Sequence, residues 1–209
     1  MNRSRYLDPQ SWHGMQYGLA IEYLPKGGDE HLQLALQTLW RAPGLSGTWL
    51  DKEDYGEPPV QPKISDPGLY GILELPDNST LGCQSYFYNS EHDIGDWLIL
   101  SIPTAMFLQV VPYYERGNEY HPWLRRVDTK LVDIAEIVHS RAPFHFAEVS
   151  MELFGICGQT EITDEIIKQQ LGHANYLLSP DLFQRLDLDY RPIALSSGML
   201  WVVREDRQG

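Results

Sequence analysis

The chain has 209 residues, and 43% of them are hydrophobic, which is enough for one sizeable core or two small ones. Its 16 basic and 29 acidic side chains give a formal net charge of −13, and both halves are acidic. This balance excludes a basic nucleic-acid-binding surface and disfavours an anionic membrane surface. The charge is interpreted first as a source of solubility, with a basic protein partner or mimicry of nucleic-acid charge as the alternative.

The N-terminal segment MNRSRYLDPQSWHGM lacks the apolar stretch of a signal peptide. No window approaches the roughly 18 apolar residues of a membrane span, so a cytoplasmic location is expected. Without export, the cysteines Cys83 and Cys157 are expected to form no disulfide, and Cys157 is interpreted as a buried, inert thiol.

The first elements read as a strand followed by a helix. In MQYGLAIEYL, apolar residues alternate with polar ones, and Gln16 and Glu22 lie on the second face, which predicts a half-buried strand. After Gly27 and Gly28, the spacing of leucines and of Trp40 predicts an amphipathic helix over residues 29–42.

Residues 43–67 contain prolines, glycines and the acidic cluster DKEDYGE, and no periodicity connects them. Loops of this length are uncommon in compact domains and are often mobile or functional. The segment is therefore expected to be a long mobile surface loop or a domain edge, with a lid or binding loop as the alternative.

Two strand-like runs follow in GLYGILELPDNSTLGCQSYFY, joined by turn-forming residues at positions 76–79, which predicts a hairpin. The polar stretch NSEHDIGD then leads into WLILSIP, whose unbroken apolar character indicates a central strand covered on both faces. The polar stretch is accordingly interpreted as the loop between consecutive antiparallel strands.

This loop also holds the candidate metal ligands Glu91, His92, Asp93 and Asp96. Their spacing matches neither the calcium loop of an EF-hand nor the paired His and Cys offsets of a zinc site. A solvated loop, in which Asp96 bonds the turn backbone, is therefore preferred to a metal site, and no cofactor is expected.

The second half contains the clearest helix, predicted over residues 122–141, with His139 and Arg141 in its last turn. Residues 104–120, which precede it, read equally as a short helix or as a strand. Two small helices and two short strands are expected after residue 163, one helix being capped by Ser179 with Pro180 in its first turn.

The strand FHFAEVSMELFG places Glu148 and Glu152 on one face, about 13 Å apart along the axis. That separation exceeds the roughly 6.5–9.5 Å of the carboxyl pairs in inverting glycosidases, so a solvated outer face is preferred. His145, which stands among apolar neighbours, is interpreted as a satisfied interior histidine rather than a base.

The predicted fold class is α+β, with antiparallel sheet structure packed against two main helices. Residues 1–209 are expected to form a single domain, and a division near 104–120 into two similar-sized α+β halves is the alternative. Irregular alternation of elements disfavours a doubly wound fold, while parallel pairing between distant strands remains open.

No nucleotide-binding, metalloprotease, hydrolase or paired-cysteine motif occurs in the chain. The pieces LPDNSTLGC, GDWLILSIP and FHFAEVSMELFG, in this order, resemble a set of uncharacterised bacterial proteins. The resemblance covers about the middle half of the chain, and it implies a bacterial origin and a structural frame but no catalytic residue.

Three functions remain open from the sequence. The leading hypothesis is a non-enzymatic protein-interaction module of the immunity or inhibitor type, based on the acidic charge and the abundance of Trp and Tyr. The second is a small-molecule binding module with residues 43–67 as a lid. The third is a metal-assisted hydrolase, whose candidate catalytic residues are His92, Asp96, His145 and Glu148. The oligomeric state is left open.

Overall fold

The computed structural model describes residues 3–23, 28–88, 95–110, 122–151, 164–170 and 174–203, and the statements below concern these residues. The nine described strands are β1 (Gln16–Tyr23), β2 (Leu45–Trp49), β3 (Leu69–Glu74), β4 (Thr80–Tyr88), β5 (Asp96–Pro103), β6 (Phe146–Met151), β7 (Asn175–Leu178), β8 (Ile193–Ala194) and β9 (Leu200–Val202). They form one sheet in the order β2-β3-β4-β5-β1-β6-β7-β9-β8.

The described helices are α1 (Arg3–Leu7), α2 (Asp29–Trp40), α3 (Thr104–Val110), α4 (Pro122–His139), α5 (Asp164–Gln170) and α6 (Pro180–Leu186). Every strand pairing in the described sheet is antiparallel, so the parallel pairing left open by the sequence does not occur within it. The predicted α+β class, with an antiparallel sheet and two main helices, is confirmed.

The two main helices, α2 and α4, cover one face of the sheet, called here the helical face. Acidic Asp29 and Glu30 occupy the first turn of α2, where they complement the helix dipole. The apolar stripe of each helix meets alternate residues of the central strands, including Tyr17, Leu19 and Ile21 of β1. Burial of these side chains is the main source of stability.

The opposite face is covered in part by α5 and α6. Their side chains Ile167, Leu182 and Leu186 pack with residues of the central strands, namely Ala20, Trp97, Ile99, Phe146, Tyr176, Leu178 and Val202. Helix α6 begins as the sequence predicts, because the Ser179 side chain accepts a hydrogen bond from the main-chain N–H of Leu182 and Pro180 follows as the first helical residue.

Strand β1 lies at the centre of the sheet, between β5 and β6, and it is buried on both sides. The prediction of a half-buried strand was therefore wrong, because the pattern of polar residues at Gln16 and Glu22 suggested a solvated face. The prediction that WLILSIP is a central strand is confirmed, since every residue of β5 is buried.

The predicted hairpin is present as β3 and β4. In its turn Asn78 has a φ of 64°, and the Asp77 side chain accepts a hydrogen bond from the main-chain N–H of Ser79. Of the two alternatives for the residues after Pro103, the helix is the one found, as α3.

Part of segment 43–67 is regular, contrary to the expectation of a loop throughout. Strand β2 lies within it, and the β2–β3 register shifts between Gly47 and Trp49, where Thr48 has a φ of 91°. This bulge interrupts the alternation of side chains and hides the strand from sequence patterns. Whether the rest of the segment is mobile stays a prediction.

Candidate functional site

The face of the sheet opposite α2 and α4 carries a group of polar side chains on its central strands. The antiparallel register places Gly18 directly opposite both Ser101 and Ser150, and it places Glu148 between Ala20 and Tyr176. One row further along, Glu22 lies between Trp97 and Phe146. We call this group the Glu22–Glu148 face: Gln16, Gly18 and Glu22 of β1, Ser101 of β5, Glu148 and Ser150 of β6, and Tyr176 of β7.

Gly18 leaves the middle of the Glu22–Glu148 face without a side chain. A Cβ atom at this position would lie 2.0 Å from the main-chain oxygen of Leu100, so close approach of β5 requires glycine here. As a result, the main chain of β5 occupies the place of a side chain at Gly18, between the two serines that pair with it.

All the polar side chains around Gly18 are largely removed from solvent. The exposed fraction is 2% for Glu148, 7% for Glu22, 3% for Ser150 and 0% for Ser101. Five buried polar atoms of this face make no hydrogen bond of normal geometry in the described structure: Gln16 Oε1, Ser101 Oγ, Glu148 Oε2, Ser150 Oγ and the Tyr176 hydroxyl. The Ser150 hydroxyl is nevertheless near enough to the Glu148 carboxyl to lower its pKa, against the larger effect of burial. Buried polar groups are nearly always hydrogen-bonded, so their concentration on one face calls for a partner.

Burial also perturbs the acidity of this face. It raises the pKa of Glu148 from 4.5 to about 7, and it does the same to Glu22. The pKa of the Tyr176 hydroxyl is raised as well, first by burial and then by the charge of Glu148. Near neutral pH, each carboxyl can therefore either donate or accept a proton.

Among the residues that the structure describes, the two carboxyl groups have no buried basic partner. Among the described Lys and Arg residues none is buried, whereas Glu22, Asp96, Asp128 and Glu148 all are. Of these acids, Asp128 on α4 accepts a hydrogen bond from the Tyr17 hydroxyl. Glu22 and Glu148 occupy diagonal positions on β1 and β6, which places their Cβ atoms about 7–8 Å apart.

The sequence singled out Glu148 but assigned it the wrong surroundings. It was expected on a solvated outer face, and it is instead buried inside the sheet. The reason is that β7 extends the sheet beyond β6 and that α5 and α6 cover this region. Glu22, the second carboxylate of the face, was missed, since it was assigned to the solvated side of β1.

The remaining candidates do not join Glu148. Asp96 begins β5 and lies directly opposite Tyr23, on the helical face, where it is 4% exposed. The expectation that Asp96 belongs to a solvated loop was therefore wrong. His145 is exposed just before β6, so its interpretation as an interior histidine was wrong too. The candidates Glu91, His92 and Asp93 lie outside the described residues, as do Glu152 and Cys157.

His145 lines a second feature, a surface pocket of about 230 Å³ at the end of α4. His139 lies on the same pocket, and its ring meets the Phe144 ring edge-on at 4.9 Å. Burial lowers the pKa of His139. The serines on the pocket wall already cap the main chain, Ser179 at the start of α6 and Ser197 at the N–H of Met199. This pocket therefore offers fewer unsatisfied groups than the Glu22–Glu148 face.

In the described part of the chain, no three His, Cys, Asp or Glu side chains converge as metal ligands would. No helix in those same ranges has the length and apolar character needed to cross a bilayer.

Comparison with known proteins gives no information on function. No protein-family model, curated protein or solved structure matches this chain.

Proposed function

We propose that the protein binds a small polar molecule on the Glu22–Glu148 face. This is the second of the three functions suggested by the sequence, but at a place that the sequence did not indicate. One observation carries the proposal: five buried polar atoms without partners lie on the same face as two carboxyl groups that no basic side chain of the described residues neutralises.

A single ordered water cannot satisfy the whole group. A buried water typically makes about three hydrogen bonds, and the five atoms belong to four strands. Apolar side chains in their place would remove the desolvation penalty altogether. A bound molecule that spans several of the groups would offset this penalty in one step.

The lid expected at residues 43–67 has no support at this site. Within that segment, the Thr48 hydroxyl donates to the oxygen of Val60, and the Trp49 indole N–H donates to the oxygen of Glu57. The side chain of Gln33 on α2 bonds the main chain of Pro62 and Ile64. These contacts attach the segment to the helical side, away from the Glu22–Glu148 face.

The interaction-module hypothesis stays a second proposal, and the net charge of −13 is its support. Its other premise, exposed aromatic side chains, is not met, because every described Trp and Tyr is at least partly buried. The apolar side chains with the largest exposed fractions are Met15, Leu34, Leu50, Val60, Met151 and Ile193. Salt-dependent capture of a basic protein by the wild type would favour this function.

The proposed small-molecule function is tested by thermal unfolding in the presence of a panel of small polar compounds. A ligand of the Glu22–Glu148 face raises the melting temperature of the wild type by binding the folded state alone. The same compound should have little effect on the double variant Glu22→Gln, Glu148→Gln. The matched control is Glu74→Gln, which alters an exposed glutamate on β3.

A crystal structure of the purified protein, combined with the melting temperatures, can contradict the proposed function. Ordered waters that satisfy all five atoms, together with no compound that shifts the melting temperature, would show that the face is a hydrated core and would overturn the proposal.

A further inference from the structure

We infer that the molecule bound on the Glu22–Glu148 face is a small organic cation that carries N–H donors, such as an alkylammonium or alkylguanidinium ion. The inference rests on the proposed function and specifies the class of ligand. It stands on three features of the face: its acceptor atoms, its aromatic walls and its missing basic side chain.

The unpartnered atoms favour a donor. Glu148 Oε2 in a carboxylate and Gln16 Oε1 accept hydrogen bonds only. The hydroxyls of Ser101, Ser150 and Tyr176 can either accept or donate, so they adapt to whichever group arrives. A ligand with several N–H groups can satisfy the acceptors next to Glu148, whereas an anionic ligand would leave the carboxylate oxygen unpaired and would be repelled by it. Gln16 lies four residues along β1 from the position opposite Glu148, about 13 Å away, and is outside this contact.

Aromatic rings enclose the carboxyl groups on both sides. Trp97 and Phe146 lie directly opposite Glu22, with ring centroids 6.1 Å apart and an interplanar angle of 87°. Tyr176, opposite Glu148, stacks at a tilt on Phe146 with centroids 5.7 Å apart. A cation beside such rings is attracted by their negative faces, and this attraction is strongest where water is excluded.

The charges that surround the face are otherwise of one sign. Among the described residues, the titratable groups on or against this side of the sheet are Glu22 of β1, Glu148 of β6, Tyr176 of β7, Tyr86 and Tyr88 of β4, and Tyr190. The helices contribute apolar Ile167, Leu182 and Leu186 to this face, and the pair formed by Arg185 and Asp164 is exposed. Within the described chain, a bound cation is therefore the available counter-charge.

The face accommodates a ligand with a single positive charge best. A monocation needs one carboxylate, and the second carboxyl group can remain protonated and donate a hydrogen bond. Because both pKa values lie near 7, binding below pH 7 converts one carboxyl group to carboxylate and releases its proton to solvent. A neutral ligand would release no proton.

The test is calorimetric titration at pH 6 with n-butylammonium, n-butylguanidinium and tetramethylammonium, compared with the neutral isosteres 1-butanol and butyramide and with butyrate. Repeating each titration in buffers of different ionisation enthalpy counts the protons released. The two N–H cations should bind with release of up to one proton, and Glu148→Gln should weaken them at least about tenfold. Glu74→Gln should leave their affinity unchanged.

Three results would overturn the inference in different ways. Equal binding of tetramethylammonium would remove the requirement for N–H donors. Binding of the neutral compounds without proton release, and with the same dependence on Glu148, would refute a cationic ligand and leave the proposed function standing. No binding by any compound, with ordered waters on all five atoms in a crystal structure, would refute both.

Discussion

Replacing Glu148 by glutamine should stabilise the folded protein much more at pH 8 than at pH 5. Glutamine has the shape of a protonated carboxyl group but cannot ionise, so it removes the penalty of burying a charge without opening a cavity. The side chain is only 2% exposed, and burial is the largest cause of its altered acidity.

The size of the effect follows from linkage. The pKa of Glu148 is about 7 in the folded chain and about 4.5 when unfolded. The folded state thus holds the proton more tightly, and the stability that this provides is complete below pH 4.5. It is lost as the pH rises through 7, and the total loss is about 3 kcal/mol. The variant should regain up to that amount at pH 8.

Urea unfolding followed by tryptophan fluorescence measures the difference. With a slope of about 2 kcal/mol per molar urea, 3 kcal/mol corresponds to a midpoint shift of about 1.5 M at pH 8. Glu74→Gln is the control for a change of one charge on a strand. Identical midpoints for the wild type and Glu148→Gln at pH 8, or an equal shift at pH 5, would refute the reasoning.

Three further changes test a contact on the helical face, the close approach of β1 and β5 at Gly18, and the capping of α6. Tyr17→Phe removes the hydroxyl that donates to buried Asp128 and should cost about 1–3 kcal/mol in urea unfolding. Gly18→Ala should prevent normal β1–β5 pairing, because a Cβ atom would lie 2.0 Å from the main-chain oxygen of Leu100. The expected result is loss of the cooperative thermal transition. The control Gly28→Ala should keep that transition, because no atom lies within 4 Å of a Cβ at this position. Ser179→Ala should cost about 1 kcal/mol of unfolding free energy by removing the cap of α6, and no measurable loss would contradict the assigned hydrogen bond.

Local patterns were sufficient for most secondary structure. The i, i+3, i+4 spacing located α2 and α4, and turn residues located the β3–β4 hairpin. The prediction that segment 43–67 is a loop throughout failed because a bulge at Thr48 breaks the alternation of side chains that is typical of a strand. Both outcomes have the same cause: these predictions use only patterns among residues that are neighbours in the chain.

The Glu22–Glu148 face could not be found in this way. Gln16 and Glu22 of β1, and Glu148 and Ser150 of β6, look like parts of solvated faces when each strand is considered alone. Helices α5 and α6 cover this side of the sheet and bury it. The pairings that build it join residues 73–87 positions apart for β1 and β5 and 124–134 positions apart for β1 and β6. The absence of lysine and arginine from β1 and β6 is a weak indication that their polar residues are buried. It can be used only after the order of the strands in the sheet is known.

The buried carboxyl groups and unpartnered hydroxyls of the Glu22–Glu148 face distinguish it from an ordinary apolar core. A sheet of this kind needs no carboxyl group on its central strands, because the apolar residues on both of its faces already provide the burial that stabilises it. Glu22 and Glu148 lower the stability at neutral pH, and the hydroxyls beside them are left without partners. Groups that reduce stability in this way are typical of functional sites, where a bound molecule makes the interactions that the protein alone does not. On this argument, the same substitutions that stabilise the free protein should abolish its response to the ligand.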